Sequence, residues 1–352
     1  MRHIFVAVHG QGDNIGDSVL RRAMLGAIQI PNSQRHVLVG GVPSSYIEGL
    51  ALSSVDHVYT SRATWERNLL RYALTGSASY VSNAGEMQVN RRRKRIGLVE
   101  GPLARLVRAT GGGLVHTGVG LRDPESHAWP VKLVASQARV VAWRDEPSRL
   151  STQMGTVYPD WAFSEGSLPE EWGAQRGTLA VSMRGDQPPP TGEWISVVRE
   201  FASRHHLSIV AVTQVARDEA RSNELATMLD GTVEPWDGTS HRYQEKRVRW
   251  IYGRSAAVIS DRMHALIMGA TEGAVPLGFT VGKSRKIGRT FEGAGLSDPS
   301  RASSDFGVES NLTWLDHRLE SATTLGSDVA GTRERIAQLE SLIRLELSGG
   351  AK

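Results

Sequence analysis

The residues with the most chemical potential in this chain lie between 256 and 279, AAVISDRMHALIMGATEGAVPLGF. A buried strand ends in Ser260-Asp261-Arg262-Met263-His264, a small-residue helix runs on to Gly273, and a new strand starts at Val275-Pro276. Arg262 can fix a carboxylate or phosphate, and His264 is of the residue type that most often shuttles protons in catalysis. A lone His at a helix start is usually a satisfied core group; Asp, Arg and His crowded on one strand end favour function. Lys283, Arg285 and Lys286 follow in GKSRKIGRT, as further cations on that edge or as a solvated loop. Arg184 closes the strand TLAVSMR in the same half.

Three other segments carry polar groups at strand-to-helix turns. In VHGQGDNIGDSVLRRA (8–23) a strand runs into a Gly/Asp loop, and Asp17 or Ser18 can cap the helix that follows. Helix N-termini favour anions, but Asp13 and Asp17 would repel a bare phosphate. With Asn14 they suit sugar hydroxyls, the plain alternative being a tight turn. In WRDEPSRL (143–150), Asp145 and Glu146 suit a helix start, while Arg144 gains nothing from the dipole and calls for an acidic partner or a ligand. VYPDWAF (157–163) closes a short strand with Asp160, a turn residue or a ligand group, and Trp161, core or sugar platform.

Composition narrows the chemistry. The 352 residues hold 41 Lys+Arg against 37 Asp+Glu and no Cys, which excludes disulfides, Cys-ligated zinc and iron–sulfur clusters. Neither HExxH, GxSxG nor a His cluster of metal-binding spacing occurs, so no metal site is expected. The net charge of +4 is small for a nucleic-acid binder, and the cations are mostly Arg. An enzyme handling anions is expected, without nucleic acid as partner. The first residues read as a strand rather than a signal peptide, and no apolar run reaches the length of a membrane span, so a cytoplasmic protein is expected.

Short apolar strands alternate with helical patterns along most of the chain, which argues for βαβ units and parallel sheets. The polar stretch 163–177 reads as a linker. The expected architecture is α/β, two Rossmann-like doubly wound domains facing a cleft, residues 1–165 and 166–352, with a C-terminal helix on the second. The basic run Arg91–Arg95 precedes a stretch whose Leu and Val residues can share one helix face. It is either a solvated loop beside a core helix or a peripheral membrane contact.

GDNIGD (12–17), RDEPS (144–148), PDWAF (159–163) and SDRMHALIMGATEGAVP (260–276), in this order, resemble the polysaccharide pyruvyltransferase family across most of residues 8–290. The resemblance implies a GT-B-like fold and transfer of the pyruvyl group of phosphoenolpyruvate to a saccharide acceptor as a cyclic ketal. The acceptor is often lipid-linked at the inner face of the membrane. It implies phosphoenolpyruvate as co-substrate, no cofactor, and Arg262 and His264 as the catalytic and phosphoenolpyruvate-binding pair. Arg144 is carried over as a further phosphoenolpyruvate contact, and Arg184 and Lys283 add cations that an anion of this charge needs. Among Asp13, Asp17, Asp145 and Asp160 one carboxylate would deprotonate the acceptor; the first domain would be the acceptor side and the second the phosphoenolpyruvate side. The alternatives are a GT-B glycosyltransferase using a nucleotide sugar, or a non-catalytic glycan- or anion-binding module.

Overall fold

The computed structural model describes residues 1–125, 128–173, 176–238 and 240–349; the Arg92 side chain of the basic run also lies outside this description. Fourteen strands among these residues form two parallel sheets. The first contains β1 (Arg2–Ala7), β2 (Ser33–Leu38), β3 (His57–Tyr59), β4 (Ala78–Val81), β5 (Gly85–Met87), β6 (Leu114–Leu121), β7 (Val140–Trp143) and β8 (Thr156–Val157). Its order is β3-β2-β1-β4-β6-β7-β8, with β5 paired to β6. The second contains β9 (Thr178–Ser182), β10 (Ser208–Val212), β11 (Thr232–Glu234), β12 (Ser255–Ser260), β13 (Val275–Thr280) and β14 (Ser300–Ala302). Its order, β11-β10-β9-β12-β13-β14, is that of a Rossmann sheet, with the strand order reversing between β9 and β12.

The connecting helices are α1 (Ile15–Ala27), α2 (Ser44–Gly49), α3 (Arg62–Leu74), α4 (Arg91–Ala109), α5 (Trp129–Ala135) and α6 (Glu146–Thr152) in the first half. The second half adds α7 (Gly192–Arg204), α8 (Glu219–Met228), α9 (His241–Tyr252), α10 (Met263–Thr271), α11 (Arg285–Gly293), α12 (Val308–Glu320) and α13 (Leu325–Leu347). Side-chain caps fix several starts: Ser61, Asn90, Asp145, Thr191 and Ser240 each accept a hydrogen bond from the backbone N–H three residues on. Covering helices leave the central strands buried on both faces, which is why IFVA of β1 and AAVI of β12 are continuous apolar runs. One core gathers Phe5, Trp65, Leu69, Tyr80 and Leu114, another Val181, Trp194, Phe201, Ile259 and Phe279.

Contacts divide the chain into a first unit of residues 1–12, 17–161 and 334–352, and a second of residues 13–16 and 162–333. This departs from the expected boundary at 165/166 in two ways. The C-terminal helical stretch is two helices, and only the first stays wholly with the second unit, through buried Leu312 and Leu315. From Glu334 onward α13 belongs to the first unit, where Glu346 accepts a 3.0 Å hydrogen bond from Leu114 N–H at the start of β6. The second departure is the segment Asp13–Gly16, which packs with the second unit. The basic run is not a loop either: Arg91 to Arg95 form the first turns of α4.

Candidate active site

The carboxyl ends of β9 and β12 lie level, with Ser182 opposite Ser260. Four residues between Ser260 and His264 then each take a distinct task. The Ser260 hydroxyl donates to Ser182 C=O and accepts from Arg262 N–H at 2.8 Å, latching the two strand ends together. Asp261 Oδ1 accepts from Arg184 N–H at 2.9 Å, and burial pushes its carboxyl up to about 6. Arg262 makes a two-pronged ion pair with Asp218, Nε to Oδ2 and Nη2 to Oδ1, both 2.7 Å. His264 is buried in the first turn of α10, a helix whose nine residues are all buried and whose Gly269 lets it approach Val258 of β12.

Asp218 comes from the 3₁₀ turn after β10 and also accepts from Gly185 N–H at 2.8 Å, so it holds Arg262 from a third strand end. Its neighbour Arg217 makes a two-pronged pair with Asp13 of the early Gly/Asp loop. That loop is seated by Asn14, which bridges to Val215 and accepts from Gly16 N–H at 3.0 Å. Gly16 then lies against His264: a Cβ there would sit 2.4 Å from the His264 Cβ and 2.6 Å from its Cγ and Nδ1. The sequence-expected residues Asp13, Asn14, Arg184, Arg262 and His264 thus fall in one cluster within the second unit. The electrostatics are balanced. Arg184 pairs with Asp186 through two 2.8 Å bonds that lower the Asp186 carboxyl to about 2. Both exposed pairs, Arg184–Asp186 and Arg217–Asp13, are of the kind that contributes at most about 1 kcal/mol. The Arg262–Asp218 pair, 12% and 3% exposed, is not.

The other expected site residues have partners of their own. Lys283 pairs with Asp305 at 3.3 Å and is 77% exposed. In the first unit, Arg144 is buried against Asp160 at 3.3 Å, and Asp145 caps α6 by accepting from the N–H and hydroxyl of Ser148. Asp17 pairs with buried Arg21 at 3.4 Å and accepts from Gln11 N–H. Trp161 is core, not a platform: it fills the space over Gly118 and donates to Thr117 Oγ1. Sequence reasoning missed Asp186, Arg217 and Asp218, and passed over Asp261 as a base. Asp218 sits just past the strand Ser208–Val212, so inspecting every strand's carboxyl end for charged residues would have found it. Among the described residues no group of His, Asp and Glu could hold a metal ion.

This architecture is a GT-B-like α/β fold. It is similar to HepE from Anabaena in complex with UDP, with a TM-score of 0.59 at 11% identity over 99% of this chain and 100% of that one. UDP-GlcNAc 2-epimerase from Neisseria meningitidis, bound to UDP-GlcNAc, gives 0.59 at 9% identity, covering 97% and 100%. The S. aureus MnaA–UDP structure gives 0.52 at 11% identity, covering 96% and 95%. No curated protein matches the chain. Residues 14–282 match the family described as Polysaccharide pyruvyl transferase. The chain belongs to that family and is a transferase.

Proposed function

We propose that this protein moves the pyruvyl group of phosphoenolpyruvate onto two hydroxyls of one saccharide residue, forming a cyclic ketal and releasing phosphate. Family membership supports the transfer, and one observation carries the assignment of the site. Arg262, held by Asp218 through Nε and Nη2, stands beside His264 at the start of a helix, where backbone N–H groups favour an anion. With two of its nitrogens fixed, Arg262 keeps Nη1 for one anionic end of the substrate. Asp218 is a positioning residue. The weak, exposed pairs of Arg184 and Arg217 can exchange a carboxylate for the ligand's phosphate or carboxylate.

His264 would give a proton to the methylene carbon of phosphoenolpyruvate, turning C2 electrophilic. The first acceptor hydroxyl forms a bond to C2 and loses its proton to Asp261. Asp17, Asp145 and Asp160 are committed to Arg21, the α6 cap and Arg144, and Asp13 to Arg217 until a ligand displaces it, whereas burial already pushes the Asp261 carboxyl up to about 6. The C2–O bond to phosphate then breaks, and the second hydroxyl closes the ketal. One proton is taken up by carbon and two leave the hydroxyls, so one departs with phosphate.

Calorimetric titration with phosphoenolpyruvate, beside UDP- and GDP-sugars, tests this reading. Phosphoenolpyruvate is expected to bind, and Arg262→Ala to weaken it about 10- to 100-fold, the range for hydrogen bonds to charged groups. Binding of a nucleotide sugar in place of phosphoenolpyruvate would overturn it.

A further inference from the structure

The helix α4 carries an outward face with no partner among the described residues. Arg91, Lys94, Arg95 and Arg105 are exposed there, and none has a carboxylate partner among the described residues. Arg93, by contrast, turns inward to buried Glu100 at 2.8 Å. Between the exposed cations lie Leu98 and Val99, 59% and 45% exposed. The next helix adds to this face. α5 packs on α4 through Gly97 and Gly101, where added Cβ atoms would lie 2.7 Å from Pro130 and 3.0 Å from Leu133. Leu133, 39% exposed, therefore flanks Gly101, one turn beyond Leu98. Trp129, 38% exposed, precedes the Pro130 that abuts Gly97, one turn beyond Lys94.

Four large apolar side chains thus stand on two packed helices beside a row of cations on α4 that have no partner among the described residues. The charge is misplaced for an isolated helix: α4 has no acidic residue in its first turn and opens on Arg, where the dipole disfavours cations. An external anionic surface would offset that cost. No described helix is long and apolar enough to cross a membrane. We propose that the α4–α5 face seats this protein peripherally on an anionic lipid surface, Leu98, Trp129 and Leu133 entering the headgroup boundary while Arg91, Lys94, Arg95 and Arg105 meet lipid phosphates. An acidic protein fits less well, because its charge would leave the apolar centre of the patch unmatched. The inference is independent of the catalytic reading, since all these residues lie in the first unit.

Co-sedimentation of the full chain with vesicles of phosphatidylglycerol and phosphatidylcholine, against phosphatidylcholine alone, tests it. Binding is expected only to the anionic vesicles and to fall as salt rises. Neutralising Arg91, Lys94 and Arg95 to Gln should weaken it about 100-fold, at about five-fold per cation near the surface. Leu98→Gln with Leu133→Gln should weaken it while the melting temperature, read alongside, stays within a few degrees, since all five positions are exposed. Absence of binding to anionic vesicles, equal binding to neutral ones, or binding unchanged in either variant would overturn the proposal. So would sedimentation-velocity evidence that the face instead pairs two copies, with a dimer lost in the double Leu variant.

Discussion

Gly16→Ala isolates the contact between the early Gly/Asp loop and His264. Gly16 lies in the first turn of α1 with ordinary helical backbone, so alanine adds no conformational strain and gains up to about 1 kcal/mol of helix propensity. The obstacle is steric. The new Cβ would stand 2.4 Å from the His264 Cβ, where ordinary contact begins at 3.4 Å. Turning the imidazole cannot relieve a clash with a Cβ fixed to the α10 backbone, so α10 or the loop must shift by about 1 Å, at an overpacking cost of about 1–3 kcal/mol. A shift of that size takes a hydrogen bond from about 2.8 Å beyond the distance at which it counts as one. Phosphoenolpyruvate affinity, measured by calorimetry, should therefore fall about 10- to 100-fold, with only a small loss of melting temperature. Gly26→Ala on the same helix is the control: its added Cβ meets nothing within 4 Å beyond its own turn of helix, and it should leave affinity unchanged. Affinity within two-fold of the parent in Gly16→Ala would refute the placement of His264 against the ligand.

Asp261 and Arg144 give contrasting expectations. Burial raises the Asp261 carboxyl from 3.8 to about 6, so the folded state favours its protonated form: that stabilisation is complete below about pH 4 and lost as pH rises through 6. Asp261→Asn should therefore stabilise the protein by up to about 3 kcal/mol at pH 8 and by little at pH 4, as read by denaturant unfolding at both; equal effects at the two pH values would contradict the shift. Arg144→Ala leaves Asp160 buried and uncompensated, which costs about 3–5 kcal/mol and about 6–20 °C in melting temperature. Phosphoenolpyruvate affinity of the folded Arg144→Ala fraction separates the two roles of this side chain: unchanged affinity would leave Arg144 to its buried pair with Asp160, and a selective loss of affinity at unchanged stability would make it a substrate contact.

Local sequence signals announced the strand ends better than their partners. The run VISDRMH was readable because an apolar strand stops abruptly at charged residues and a helix follows. Arg62–Leu74 and His241–Tyr252 have the helical bounds that their periodicity predicts. Asp218 gave no such signal, since what makes it important is a pair with Arg262 across two strands, and sheet order is not written in local periodicity. The same limit explains α13, whose apolar spacing marks a helix but not the sheet that accepts it; Glu346 on the Leu114 N–H decides that.

GDNIGD shows why a motif can be recognised as a unit and still be misread. Its repeated Gly-Asp spacing suggests one loop around one ligand, with Asp13 and Asp17 in equivalent roles. The fold separates them. Asp13 and Asn14 dock beside Arg217 and Val215, and Gly16 clears space for His264, all in the second unit. Asp17, a single residue later, belongs to the first unit and is spent on Arg21. The two glycines divide likewise: a Cβ on Gly12 would strike Pro43, one on Gly16 would strike His264. Four residues therefore carry the chain from one unit's packing to the other's, and the constraint on each letter of the motif comes from a different neighbour. Spacing along the chain shows that such constraints exist; only the neighbours show what each one is for.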